Sequence, residues 1–390
     1  VAPRSTVAVP ETVSETAPWI GAIVTLDHGD ATVEEQVSGA LGASAQPCAT
    51  TGSTHWYFPT GETLVNAAED ISILNPFPSV AIVDMSFTTE QGLEQPPDFQ
   101  ALVIPADSLG VVDVGSHLRR RNTIATTVNV RTGEVVAWQT NVVTQPSPGQ
   151  PLVGQSVPAG TTVDPAAPVG GVTLTLGAPH ARTQWWWPEG ADGPGVAETY
   201  TVFNPSSTPA QVRLAVNPDQ GSAEPLPLTV EPGQVASVVS TAEPRIPQGV
   251  GHDAVLTSLN GVPVVAQRTL AVNTPGGVGA IIGAPGGADS WLLGAGSASS
   301  KQGENAIVVN TTKAPVQVTL QALENGKRGT LTSFKLAGSA RQVVTLAQFG
   351  PAFPFSLLVN STGPVVVERD YYGLSSATRG IGLSLGVPLQ

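Results

Sequence analysis

The sequence contains a single cysteine, Cys48, among its 390 residues. One thiol cannot form an intramolecular disulfide, and it excludes the zinc sites that are built on several cysteine ligands. The five histidines lie far apart and show no metal-ligand spacing. We therefore expect neither a metal site nor any other cofactor.

Charge is scarce as well, since only 12% of the residues are charged and the formal net charge is −13. Nucleic-acid binding needs a basic face, so this composition argues against it. No apolar run reaches the roughly 18 residues of a membrane span. The sequence begins at Val1 and its only methionine is Met85. We interpret this as the removal of a leader, either a signal peptide or an N-terminal anchor.

Glycine and proline are abundant, with 42 and 35 residues, and 41% of the chain is hydrophobic. This mixture is typical of many short strands joined by turns, with enough apolar surface for packed cores. The length exceeds that of one ordinary domain, so we expect between two and four domains.

An internal repeat organises the chain. The segments "WYFPTG", "WWWPEG" and "WLLGAG" begin at equivalent tryptophans, and an asparagine follows each tryptophan at the same spacing. These structural anchors are Trp56, Trp185, Trp291, Asn75, Asn204 and Asn310. Beyond each asparagine, apolar and polar residues largely alternate, which predicts a strand with one buried face.

The repeat predicts an all-β chain of three tandem Ig-like β-sandwiches. We call them module 1 (51–179), module 2 (180–285) and module 3 (286–390), and similar closing tails end each one. Module 1 is longer because of a Pro/Gly-rich arm, 144–171, which we expect to lie on a surface as a strap. Deletion of 146–168 should then leave the sandwiches folded and weaken partner binding.

Residues 1–50 differ from the repeats and predict a short α/β segment that packs on module 1. Thr32 and Glu35 form a capping box, and Val33, Val37 and Leu41 share one face of the predicted helix. The apolar stretch 19–26 before it predicts a strand.

The three consecutive tryptophans, Trp185 to Trp187, suggest either a binding platform or a repeated core element. Trp185 is equivalent to Trp56 and Trp291, so we predict that it is a buried anchor. Trp186 and its equivalent Tyr57 should point to the opposite side of their strands. They are the candidate contacts with a partner or a sugar.

The motifs that suggest catalysis lack the structural elements that each of them requires. Residues 382–386 match the hydrolase pattern G-x-S-x-G, but no helix can follow so near the end of the sequence. The acidic segment 27–30 suggests a cation site, but its polar residues are equally typical of an ordinary turn. We identify no catalytic residue.

The chain resembles a family of uncharacterised secreted or membrane-anchored actinobacterial proteins with a domain of unknown function. The resemblance covers roughly residues 48–390 and depends on three patterns: the C-x-x-x-G-x-x-x-W-Y-F stretch from Cys48 to Phe58, the Asn-Pro strand ends, and the "VVAQR" and "VVVER" strands. Module 3 departs from it, because its tryptophan precedes leucines and Asn310 precedes threonine. The resemblance implies an extracytoplasmic location, no known catalytic activity and a role beside an envelope-polysaccharide glycosyltransferase.

These observations together predict a non-catalytic cell-envelope protein that docks on a partner protein. The first alternative is an array of carbohydrate-binding modules that uses Tyr57 and Trp186 as stacking surfaces. A hydrolase on a sandwich scaffold is a more distant alternative, which a cleft with two unneutralised carboxylates would favour.

Overall fold

The computed structural model describes residues 2–10, 19–29, 31–39, 41–144, 170–272, 276–296, 302–349, 355–373 and 380–389. Strands make up 58% of the chain, and the described residues contain no α-helix. The predicted all-β class is therefore confirmed. Among the described residues, no helix has the length and apolar character needed to cross a membrane.

The N-terminal segment contains two antiparallel strands, β1 (Glu34–Gly39) and β2 (Gly42–Pro47), so the predicted helix is wrong. Glu35, which the capping box would place in a first helical turn, instead accepts a hydrogen bond from Gln46 on the opposite strand. A helix of about ten residues is marginal in water without tertiary packing. Here the tertiary contacts are made by β2, which packs against other strands of the chain, so they stabilise the hairpin instead of a helix.

The strand predicted for 19–26 is also wrong. The described residues 19–26 belong to no strand, and most of them are exposed. Gly21 lies beside Leu74 and Leu109 of module 1, and Val37 of β1 packs with Leu74 and Trp138. The segment therefore contacts module 1, although it contributes no third strand to the hairpin.

Module 1 forms two sheets. Its strands are β3 (His55–Phe58), β4 (Ala67–Asn75), β5 (Ala81–Thr89), β6 (Gly92–Glu94), β7 (Leu102–Ile104), β8 (Ser108–Asp113), β9 (Ile124–Thr132), β10 (Val136–Val143) and β11 (Gly171–Leu176). The inner sheet has the order β11-β10-β4-β8, and the outer sheet has the order β3-β9-β5-β6, with β7 on β5. Short 3-10 turns lie at Pro97–Phe99 and Val114–Ser116. Nearly all of the predicted arm, at 145–169, falls outside the described residues.

Module 2 repeats this organisation. Its strands are β12 (Gln184–Trp187), β13 (Val196–Phe203), β14 (Ala210–Pro218), β15 (Leu226–Val230), β16 (Val235–Val239), β17 (His252–Ser258), β18 (Val265–Val272) and β19 (Gly277–Ile282). The inner sheet has the order β19-β18-β13-β16, and the outer sheet has the order β12-β17-β14-β15. A 3-10 turn lies at Ser240–Ala242.

Module 3 joins its two sheets through one long strand. Its strands are β20 (Ala288–Gly296), β21 (Gln302–Asn310), β22 (Val316–Glu324), β23 (Lys327–Leu336), β24 (Arg341–Thr345), β25 (Phe355–Gly373), β26 (Ile381–Leu385) and β27 (Val387–Pro388). One half of β25 pairs with β20 and β22, and the other half pairs with β21 and β26. A 3-10 turn lies at Leu346–Phe349.

Each module has its own hydrophobic core, to which both of its sheets contribute. In module 1, Ile71 of the inner sheet and Met85 of the outer sheet are both fully buried in one cluster. The main clusters of modules 2 and 3 are built in the same way. Burial of these faces supplies the main stabilisation of each module.

Four strands meet at the centre of the molecule. β2 packs against β11 and β26, and β19 packs against the same two strands, so the four form a closed group that we call the strand ring. β11 and β19 end the inner sheets of modules 1 and 2, β26 pairs with β25 of module 3, and β2 belongs to the N-terminal hairpin. The small sheets are thus arranged like a four-bladed propeller, in which the fourth blade has only two strands.

Candidate functional site

The repeated tryptophans occupy equivalent buried positions. Trp56, Trp185 and Trp291 are 2%, 3% and 2% exposed, in agreement with the burial expected from the sequence. Each indole Nε1 donates to the carbonyl of the first valine of a repeated Val-Val pair, namely Val135, Val264 or Val365, at 2.7–2.8 Å. A buried indole needs such an acceptor, which explains why the tryptophan and the "VV" segment recur together.

The repeated asparagines make equivalent turns. Asn75, Asn204 and Asn310 are completely buried, and each Oδ1 accepts a bond from the backbone N–H two residues later. Each Nδ2 donates to the carbonyl four residues later, at 2.7–2.8 Å, and to at least one carbonyl from a more distant strand. Each asparagine therefore makes the turn between two consecutive strands that do not pair with each other, and in modules 1 and 2 these strands lie in different sheets.

A buried glutamate recurs in every module, and the sequence analysis missed it. Glu69, Glu198 and Glu304 occupy the same place on β4, β13 and β21, and none is more than 1% exposed. A Cβ on the last glycine of each tryptophan segment would come within 3.1 Å of this carboxylate. The available signal was the constant spacing among tryptophan, glycine, glutamate and asparagine.

The partner of this glutamate changes between modules. In module 1, Gln139 donates to Glu69 at 2.7 Å. In modules 2 and 3 the equivalent residues are Arg268 and Arg369, with nitrogen–oxygen distances to Glu198 and Glu304 of 3.9 and 3.6 Å. A recurrent buried pair inside each module indicates a structural role for the glutamates.

The two arginines also join one module to the next. Arg268 of module 2 donates to Glu368 of module 3 at 2.7 Å, and both side chains are fully buried. Arg369 of module 3 is ion-paired in turn with Glu34 of β1. Arg341 of module 3 adds contacts with Glu189 and Asp219 of module 2, both at 2.7 Å. These charges hold modules 2 and 3 and the N-terminal hairpin together.

Tyr57 and Trp186, the predicted contact residues, point away from the cores of their own modules. Both are half-buried, between two buried neighbours on their strands. Tyr57 packs against the core cluster of module 2, and Trp186 packs against that of module 3. The structure places them at successive junctions between modules.

Two carboxyl groups in module 1 lack a cation partner among the described residues. Burial raises the pKa of Glu62 and of Glu69 to about 8. The uncharged amide of Gln139 occupies the place where the other modules carry arginine. Burial therefore favours the protonated form of both carboxyls, and Glu69 belongs to the structural repeat.

Exposed apolar side chains concentrate near the N-terminus. Of the thirteen large exposed hydrophobic residues in the described chain, seven lie between Val7 and Leu41. Trp19, Ile23 and Val24 are 38%, 54% and 57% exposed, and Leu26 is 46% exposed. We call residues 19–26 the apolar strip, and a patch of this kind is typical of a protein interaction surface.

The hairpin beside the apolar strip ends in an open strand. β1 pairs with β2 and with no other strand in the part of the chain that the structure describes. In the other three blades, the equivalent strands β10, β18 and β25 each have a further neighbour, namely β4, β13 and β21. Backbone groups on an unpaired edge can bind a strand from another chain. The apolar strip and the β1 edge form the candidate docking surface.

Comparisons with known proteins give a family without an assigned activity. The model of a family described as "Family of unknown function (DUF5719)" matches residues 27–239, which is more than half of the chain. No curated protein matches. A solved structure titled "Crystal Structure of Thermotoga maritima 1070" shares 19% identity with a TM-score of 0.25, covering 26% of this chain and 96% of its own. A likeness at that level supports no inference about this chain.

Proposed function

The chain belongs to this family of unknown function, and we propose that it is a non-catalytic docking protein of the actinobacterial cell envelope. In this proposal it acts outside the cytoplasm, and it binds an envelope protein through the candidate docking surface. In the same proposal the partner is a membrane glycosyltransferase that builds an envelope polysaccharide, as the family resemblance implies.

The observation that carries the proposal is the apolar strip. Four large apolar side chains, from Trp19 to Leu26, remain exposed in a chain whose three modules bury their apolar residues in cores of their own. Such exposure has a free-energy cost of roughly 25 cal/mol per Å² of apolar surface, which contact with a partner removes. The open edge of β1 adds backbone groups that a partner strand can pair with.

We also propose that each module is an Ig-like β-sandwich. Each core receives residues from two sheets, and successive strands alternate between these sheets, as β12 to β14 do in module 2. A blade of an ordinary propeller is a single sheet of consecutive strands. The alternation supports a sandwich as the structure of each module. The propeller-like arrangement describes how the modules and the N-terminal hairpin are placed around the strand ring.

A pull-down from native membranes tests the docking proposal. The bait is the full chain, either unchanged or with the three substitutions Ile23→Ser, Val24→Ser and Leu26→Ser. We expect the substituted bait to lose most of the bound envelope protein, because the apolar contact area is removed. A matched control carries Leu93→Ser, Val103→Ser and Leu259→Ser, which are 65%, 62% and 55% exposed in modules 1 and 2.

The control bait should retain the partner. Mass spectrometry identifies it as the protein that the unchanged and control baits recover and the strip-substituted bait does not. Equal recovery on all three baits would contradict the apolar strip as the docking surface. Carbohydrate binding by Tyr57 and Trp186 receives less support, since both rings pack at junctions between modules. Retention on immobilised cell-wall polysaccharide that Trp186→Ala abolishes would favour that alternative.

A further inference from the structure

A cavity of about 200 Å³ lies at one end of the strand ring. All four ring strands contribute residues from their C-terminal ends, among them Gln46 of β2, Thr175 of β11, Ile281 of β19 and Leu383 of β26. Trp185 also lines it. Because every blade contributes, the cavity lies on the common axis of the molecule.

Two polar side chains in the lining are buried, and each has one oxygen without a hydrogen-bond partner among the described residues. Gln46 is 5% exposed and Thr175 is 3% exposed. Gln46 Nε2 donates to Glu35 at 2.8 Å, which fixes the amide, but its Oε1 accepts no hydrogen bond from the described residues. Thr175 Oγ1 likewise has no partner there. An unsatisfied buried polar group costs about 1–3 kcal/mol, so both atoms favour a bound molecule with a polar group.

The rim of the cavity carries a guanidinium group on one side. Arg182 follows β11, lines the cavity and is exposed, as is the neighbouring His180. Arg182 makes no ion pair with a carboxylate of the described residues. In a chain with a net charge of −13, this guanidinium is available for an anionic ligand.

We propose that the cavity binds a small molecule with one ring, a hydroxyl group at one end and an anionic group at the other. An apolar cavity of about 150 Å³ holds benzene, so the observed volume suits a ring with short substituents. A hydroxyl donates to Gln46 Oε1 or accepts from Thr175 Oγ1, and the anion binds at Arg182. This proposal does not rest on the docking proposal, although β2 of the same N-terminal hairpin contributes Gln46 to the cavity.

The test uses three probes that differ by one group. The probe 3-(4-hydroxyphenyl)propionate carries both groups, 3-phenylpropionate lacks the hydroxyl, and tyramine replaces the carboxylate with a cation. Isothermal titration of the full chain measures each Kd. We expect the first probe to bind at least about tenfold more tightly than each of the others. A site built for a hydroxyl rejects 3-phenylpropionate, which lacks it, and Arg182 repels the ammonium group of tyramine.

Single substitutions show which residue is responsible for the preference for the hydroxyl and which for the preference for the carboxylate. Thr175→Val should reduce the preference for the hydroxyl, and Arg182→Gln should remove the preference for the carboxylate over the amine. Thr173→Val and Arg213→Gln are matched controls, since Thr173 is buried on the same strand and Arg213 is exposed, and neither lines the cavity. The controls should bind as the wild type does.

Absence of binding at millimolar concentrations of the first probe would overturn the proposal, and the cavity would then hold water only. Equal Kd values for the three probes would overturn it as well. Neither result bears on the pull-down, so failure of this proposal and failure of the docking proposal are distinguishable.

Discussion

Arg268 Nη2 lies 2.7 Å from Glu368 Oε1, and this ion pair joins modules 2 and 3 without any exposure to solvent. The equivalent residues at the junction of modules 1 and 2 are Gln139 and Gln267, so both charges are absent together at that junction. A buried charge is tolerated only with its partner, because removal of one leaves the other unpaired in a low-dielectric interior. The buried ion pair is therefore particular to the junction of modules 2 and 3.

The first prediction concerns this pair. Glu368→Gln should destabilise the chain by about 3–5 kcal/mol, since Arg268 would lose its closest carboxylate in a buried position. Urea unfolding followed by tryptophan fluorescence measures the change. Glu243→Gln is the control, because the side chains of Arg245 and Glu243 are 43% and 17% exposed and loss of this solvent-accessible pair should leave the unfolding midpoint nearly unchanged. A similar midpoint for both variants would show that the buried pair contributes nothing specific.

The second prediction concerns the repeated asparagine. Asn204→Asp keeps the shape of the side chain but replaces the Nδ2 donor with an oxygen that faces two carbonyl groups. We expect a loss of about 2–4 kcal/mol of stability, because a buried donor is lost and its acceptors repel the new oxygen. Asn325→Asp, at an exposed turn, is the matched control in the same unfolding assay. An unchanged stability of the Asn204 variant would contradict the proposed role of the turn.

The repeat could be predicted from the sequence because its elements depend on local chemistry. The turn at Asn204 involves residues within four positions, and the alternation after it has the period of a strand. The buried Glu198 was missed because a charged residue in a strand is normally taken to face solvent. Its burial depends on His252 and Arg268, whose nitrogens lie 2.7 and 3.9 Å from its carboxylate and which are distant in sequence.

The N-terminal hairpin could not be predicted either, because it too depends on contacts between residues that are distant in sequence. The Thr32–Glu35 capping box is a local signal for a helix, but the conformation is decided by packing of β2 against β11 and β26. Ring contacts of this kind join residues more than a hundred positions apart. Periodicity carries no information about them, so neither the ring nor its cavity was expected from the sequence.

The third prediction concerns the pH dependence of stability. Burial raises the pKa of Glu62 and Glu69 to about 8 in the folded chain, against an ordinary value near 4.5. A carboxyl with a raised pKa stabilises the fold fully below its unfolded pKa, and this contribution is lost as the pH rises through the folded pKa. Burial also raises the pKa of Asp70, to about 6, with a contribution from Asp113. The melting temperature should therefore fall between about pH 5 and pH 8.

Substitution of one group isolates its contribution to this slope. Glu69→Gln should flatten the decrease in melting temperature, because the amide does not ionise and still offers an oxygen to Gln139. Glu134→Gln, at an exposed position of the same module, should leave the slope unchanged. Calorimetry at pH 5, 6.5 and 8 measures all three chains. A melting temperature that rises across this range in the wild type would contradict the assignment.

The last prediction concerns attachment of the N-terminal hairpin, on which the candidate docking surface depends. Glu34 is the ion-pair partner of Arg369, and Arg369 also donates to the Gly294 carbonyl at 2.7 Å. Glu34→Ala removes the charge contact of β1 with module 3, while Gly294 and Glu304 still accompany the arginine. We expect amide hydrogen exchange in residues 34–47 to accelerate by at least about tenfold, equivalent to a loss of 1.4 kcal/mol in local stability. The control Ser38→Ala, on the same strand, should exchange as the wild type does. Uniform acceleration across strands β9 and β18 would instead indicate that Glu34 stabilises the whole fold.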